Sequence, residues 1–133
     1  MITMLYAGLC TILVVLLALR VVRWRFRHKI GLGHGGDPEL QRRVRAHANA
    51  VENMPLALLL LGGMELNGFS GWMVHAFGGT LFVSRCAHAW GLSHRSGTSR
   101  GRFLGSLFTW LLMLAMAALA IGGFFMQFRV NAG

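Results

Sequence analysis

Acidic residues are scarce in this chain: Asp37, Glu39, Glu52 and Glu65 stand against 13 lysines and arginines. Charge of either sign is sparse, at 13% of the 133 residues, about half the share usual in a soluble domain. Cysteine occurs only as Cys10 and Cys86, in different apolar segments and without a CxxC spacing. That excludes a thiolate metal cluster and makes a disulfide unnecessary; both read as small buried hydrophobes. The six histidines, His28, His34, His47, His75, His88 and His94, show neither HxxxH nor HExxH spacing, so no metal site is expected. No internal repeat or low-complexity tract is present.

What fills the chain is apolar. Hydrophobic residues make up 55% of it and the mean hydropathy is +0.56. Met1 to Leu19 and Phe103 to Phe128 carry no charge over membrane-spanning length, since a hydrocarbon core of about 30 Å takes about 20 helical residues. Two less pure stretches, Val51 to Gly68 and Trp72 to Gly91, lie between them. The pattern predicts an all-α protein, a four-transmembrane-helix bundle in a single domain over residues 1–133. The first apolar segment lacks a basic start and a small-residue cleavage site, and arginines follow it. It is expected to be retained as a span rather than removed as a signal peptide.

The cations are unevenly placed. Arg20, Arg23, Arg25, Arg27, Lys29, Arg42, Arg43 and Arg45 lie in or beside the first connection, and Arg95, Arg100 and Arg102 in the third. Basic connections face the cytoplasm, so both termini and the turn Asn67-Gly68-Phe69-Ser70-Gly71 are expected on the other side. The isoelectric point of 11.7 does not argue for a nucleic-acid partner, because the charges flank lipid-facing segments without interleaved aromatics. Gly31-Leu32-Gly33-His34-Gly35-Gly36 reads as a flexible connection. No strand precedes it, so it is not a phosphate-binding fingerprint. Asp37-Pro38-Glu39 is a helix start, with a cap, a proline at the first position and an acid in the first turn. The second helix then runs to about Asn67, with Pro55 expected to kink it. The third spans about Gly71 to Leu92, and Ser93 to Arg102 form a polar loop. Gly78-Gly79 and Gly122-Gly123 offer small residues for close helix approach.

The most informative stretch is Arg45-Ala46-His47-Ala48-Asn49-Ala50-Val51-Glu52-Asn53-Met54-Pro55, which opens into Leu56-Ala57-Leu58-Leu59-Leu60-Leu61. Arg45, Asn49 and Glu52 share one helical face. Polar and charged groups inside a membrane segment face the bundle interior or a ligand. Two readings stand: a network tying helices together, or a site for an anionic molecule, which the surplus of guanidinium favours. Arg85 and His88 share a face of the third helix. Arg85 either pairs with Glu52 or Glu65, or belongs to the same site.

The Arg45–Glu52 stretch with its following proline and apolar run resembles the signature of the MAPEG family, the membrane-associated proteins in eicosanoid and glutathione metabolism. Arg85-Cys86-Ala87-His88 and the basic stretch before the last span are similar too, so the resemblance covers nearly the whole chain. It implies a homotrimer of four-helix subunits in a bacterial inner membrane, binding glutathione as co-substrate between subunits near the cytoplasmic face. The implied activity is transfer of the glutathione thiolate to hydrophobic electrophiles, with peroxidase activity as an addition. The alternative is a non-catalytic member of the same fold that binds lipid or another hydrophobic ligand. Carried over by position, Arg45, Asn49, Glu52 and His88 are glutathione-binding residues, Arg23 and Arg25 compete for a further contact, and Arg100, with Arg102 as alternative, is the catalytic thiolate stabiliser. Tyr6 is the only tyrosine. Leu92 and Leu104 stand where some members carry tyrosines, so activation of the thiol by a phenol is excluded.

Overall fold

A computed structural model describes the backbone of residues 1–94 and 100–131 and the side chains of residues 1–91 and 103–126. Four helices follow in order: α1 (Ile2–His28), α2 (Pro38–Leu66), α3 (Gly71–His94) and α4 (Arg100–Asn131). The third helix is two residues longer than expected, and α4 begins at Arg100, so Arg100 and Arg102 belong to its first turn rather than to a loop. Their side chains lie outside the described residues.

Helix α2 is the organiser. It buries Ala46, Ala50, Met54, Ala57, Leu61 and Met64, a three-and-four spacing that keeps one stripe against its neighbours. Three of those six are alanines, so neighbouring helices can lie close along the stripe. Among the described residues α2 and α3 touch each other and both outer helices, whereas α1 and α4 do not meet. The section of the bundle is therefore a diamond, with α2 and α3 on its short diagonal. Tyr6, Cys10 and Leu17 of α1, Val74, Leu81 and Ala89 of α3 and Met116 of α4 complete the core. Pro55 does not end α2.

Helices α1 and α4 are long and apolar enough to cross a membrane, yet only 22% and 17% of their apolar windows are buried. A core helix of a soluble protein would be mostly covered. Ile12, Val15, Leu16, Leu111 and Leu114 are instead at least half exposed, an arrangement that suits lipid.

Both described connections are fixed by particular groups. α1 ends on Lys29 in the left-handed region (φ 54°), with the amide of Ile30 returning to the Arg25 carbonyl at 3.1 Å. Asp37 caps α2: its Oδ1 accepts from the amides of Glu39 (2.8 Å) and Leu40 (3.1 Å), while Oδ2 accepts from the Trp24 indole at 2.7 Å. The Trp24 hydrogen bond and the two amides hold the Asp37 carboxyl below the usual carboxylate range. Trp24 also stacks on His28 and carries the Arg43 guanidinium 4.3 Å from its ring centroid, a cation–π contact. Glu39 is bound by Arg42 and Arg43. At the other end, Gly68 (φ +76°) turns the chain into α3.

Two expectations about glycine divide. Gly78 is needed, because a Cβ there would lie 2.2 Å from Cδ2 of Tyr6. Gly122 and Gly123 meet nothing within 4 Å, so they mark no close approach within the subunit.

Candidate functional site

The chemistry gathers where α2, α3 and the start of α4 converge. Arg85 of α3 is 2% exposed. One arm of its guanidinium donates to Oδ1 of Asn49 at 2.8 Å and the other to the carbonyl of Gly105 at 2.7 Å. Of the two readings open for Arg85, the ion pair with Glu52 or Glu65 is therefore not the one found. Glu65 lies at the far end of α2, where its carboxylate accepts the amides of Ile2 (2.5 Å) and Thr3 (2.8 Å) and so caps α1. A carboxylate at a helix N-terminus satisfies orphan amides and opposes the positive end of the dipole.

Gly105, absent from the sequence expectations, makes this convergence possible. A Cβ at Gly105 would sit 2.7 Å from the Ser84 carbonyl and 2.8 Å from Cβ of His88, so only glycine lets α4 lie this close to α3. Its carbonyl also accepts from Oγ1 of Thr109 at 2.7 Å, and Thr109 meets Ser84 at 3.0 Å. A single glycine in an apolar helix has no periodic signature, so only its neighbours reveal it. Trp110, another residue the sequence did not single out, donates to Oδ1 of Asn53 at 3.2 Å and ties α4 to α2 one turn beyond Asn49.

The expected residues separate by exposure. His88 is buried at 7% beside Gly105. Asn49 is half-buried, whereas Arg45 and Glu52 are exposed, and neither of these two has an ion-pair partner among the described residues. Arg25 donates to the Gly31 carbonyl at 3.1 Å and so is tied into the first connection. Arg23 is exposed.

Depth follows from the two ties between α1 and α2. Glu65 meets Ile2 and Thr3, and Asp37 meets Trp24, so the helices run antiparallel between those points. At an equal rise per residue, counting from the two ties in turn sets Glu52 level with a residue between about Leu9 and Val15, and Arg45 with one between about Leu16 and Val22. Arg45 lies toward the basic end of α1, and Glu52 beside its charge-free part. An exposed charge at such depth costs roughly 2.5–3.5 kcal/mol on insertion scales.

An apolar groove of about 550 Å³ runs between α3 and α4, lined by Gly79, Thr80, Val83, Ser84, Ala87, Leu104, Gly105 and Phe108. It shares Gly105 with the Arg85 clamp, so the apolar cavity and the polar cluster meet at that residue. No group of three or more potential metal ligands occurs among the described residues.

The sequence matches the MAPEG family over residues 3–122. The chain belongs to that family and is a membrane protein. It is 40% identical over 116 residues, 87% of this chain and 87% of the relative, to the inner membrane protein YecN of Escherichia coli K12. The same identity and coverage hold for YecN of Escherichia coli O6:H1.

Proposed function

We propose that this chain is a membrane-bound glutathione-dependent transferase, acting as a homotrimer in the inner membrane with its site open to the cytoplasm. The observation that carries the reading is the exposed pair Arg45 and Glu52, flanking Asn49 on one face of α2, with Glu52 at the depth of an apolar span and Arg45 toward its basic end. Glutathione offers two carboxylates, an ammonium and a thiol. Arg45 clamps a carboxylate in bidentate fashion, Glu52 receives the ammonium, and both charges are then neutralised, Glu52 where lipid would penalise it. A neighbouring subunit closes the site from the other side. All four helices cross the membrane, with α2 projecting beyond it at its arginine-rich end.

The chemistry is thiolate activation. A guanidinium at the first turn of α4, Arg100 or in its place Arg102, stabilises the glutathione thiolate and lowers the thiol pKa from about 8.5. His88 and a helix 1 arginine complete the surroundings of the ligand; of Arg23 and Arg25, the exposed Arg23 is the freer to turn toward it. The thiolate sulfur forms a bond to the electrophilic carbon of a hydrophobic substrate, whose leaving group departs with the electron pair. The α3–α4 groove beside Gly105 suits an apolar substrate, and holding both reactants together supplies much of the acceleration.

Calorimetric titration of glutathione into the detergent-solubilised protein tests this reading. Saturable binding, with ultraviolet absorbance of bound thiolate that falls at neutral pH in Arg100→Leu or Arg102→Leu, supports the transferase. Absence of glutathione binding combined with binding of lipid or fatty-acid probes would establish the non-catalytic alternative instead.

A further inference from the structure

Arg85 is buried in the bundle with only neutral acceptors. Of the four acids in the chain, Asp37 and Glu39 are engaged at the first connection, Glu65 caps α1, and Glu52 is exposed. Nε of Arg85 has no hydrogen-bond partner among the described residues. A cation held only to stabilise the bundle would be expected to have a carboxylate beside it. Its two bonds instead reach the Asn49 side chain and the Gly105 carbonyl, one on each neighbouring helix.

We propose that Arg85 is a positioning residue that locks the Asn49 carboxamide with its NH2 group outward, making the site select a carboxylate over a carboxamide at that point of the ligand. The inference rests on the glutathione reading above and deepens it. Guanidinium has five donors and no acceptor, so the atom of Asn49 facing Arg85 must be Oδ1. Nδ2 is then the end of the carboxamide left to meet other groups, on a residue that shares its helical face with the exposed Arg45 and Glu52. There it is a fixed donor, and a ligand group meeting it must accept. A carboxylate accepts with either oxygen and as a charged acceptor, whereas a primary amide can offer only its neutral carbonyl oxygen and must turn its NH2 elsewhere. The second arm, on Gly105, holds the beginning of α4 in register with Asn49. The arginine-bearing first turn is thereby tied to the same residue that orients the ligand.

The test compares glutathione with its two monoamides, each carboxylate amidated in turn, by calorimetry in detergent. In the wild-type protein one monoamide should bind about tenfold more weakly, the loss expected for a hydrogen bond to a charged group. In Arg85→Met, where an apolar side chain of similar length replaces the buried cation, that preference should shrink to about twofold, and the preference at the other carboxylate should stay. In an Asn49→Ala background, Arg85→Met should add no further change. Equal weakening of all three ligands, or an unchanged preference, overturns the positioning role.

A readout without ligand keeps the inference separate from the proposed activity. With nitrogen-15 in asparagine only, the Asn49 side-chain signals of the free protein should move in Arg85→Met and partly return in Arg85→Lys. If they do not move, Asn49 is not held by Arg85, whatever the ligand turns out to be. If they move while the wild-type protein binds no glutathione, the orienting contact stands and the glutathione reading falls.

Discussion

Glu65 and Glu52 lie on the same helix with opposite surroundings. Glu65, at the end of α2 near the N-terminus, is consumed within the subunit, where its carboxylate closes the first turn of α1. Around it Tyr6 donates to the His75 carbonyl at 3.1 Å, and the Tyr6 ring fills the space left by Gly78. Glu52, nearer the arginine-rich end, has no such closure and is exposed beside Arg45. One end of the bundle satisfies its carboxylate internally, and the other leaves Glu52 open at a depth where lipid would oppose it. Charge that a fold leaves unsatisfied in a membrane points to something that arrives from outside the subunit.

The sharpest way to break this comparison is at the closed end. Gly78→Ala forces a Cβ into the Tyr6 ring and should lower stability by about 3 kcal/mol, the upper part of the overpacking range. Thermal unfolding in detergent should show the loss, Tyr6→Ala in the same chain should recover part of it, and glutathione affinity should be unaffected. Loss of binding without loss of stability would mean that the two ends are not separate.

At the open end the pattern should invert. Glu52→Gln should weaken glutathione by roughly 1.5–3 kcal/mol while the unfolding temperature of the ligand-free protein stays within a degree or so. An analogue lacking the amine should bind both forms alike. Mass measurement in mild detergent should give a trimer, because the exposed Arg45–Glu52 face needs a neighbour; a stable monomer that still binds would contradict it.

A smaller effect should follow Glu65→Ala. Removing a capping carboxylate costs about 1 kcal/mol, to be read as lowered stability and faster hydrogen exchange at Ile2 and Thr3, with binding intact.

The smallest effect concerns pH at the first connection. Asp37 is held below its ordinary pKa, chiefly by the Trp24 indole hydrogen bond. A depressed folded-state pKa adds stability at pH above the unfolded value of about 3.9, and that stability is lost as pH falls through the folded value. Acid titration of the unfolding temperature should therefore show a steeper decline in the wild-type protein than in Asp37→Asn, which retains an N-cap oxygen but has no carboxylate to protonate. Parallel curves would remove Asp37 from the account.

Much of the architecture was legible because it depends on local composition. Charge-free runs of membrane length marked α1 and α4, and Asp37-Pro38-Glu39 marked the start of α2 to the residue. The shared face of Arg45, Asn49 and Glu52 followed from helical spacing alone. The beginning of α4 was misjudged, because Arg100 to Arg102 is polar enough to read as loop and yet forms a helical first turn. For Arg85 the sequence left two readings open, an ion pair with Glu52 or Glu65 or membership of the polar site. Charge complementarity proposed a glutamate, but the fold places Glu65 at the opposite end of α2 and turns Glu52 outward.

The sequence by itself determined the class of fold, the family and the face that carries the polar motif, since hydropathy, basic clusters and helical periodicity are properties of neighbours along the chain. Only the tertiary structure decided that Asn49 and Gly105 hold Arg85, that Glu65 caps α1 and that Gly105 lets α4 lie against α3 at Ser84 and His88. Those facts join residues from different helices, and their geometry is set by how side-chain volumes pack across the diamond of helices rather than by any spacing along one of them.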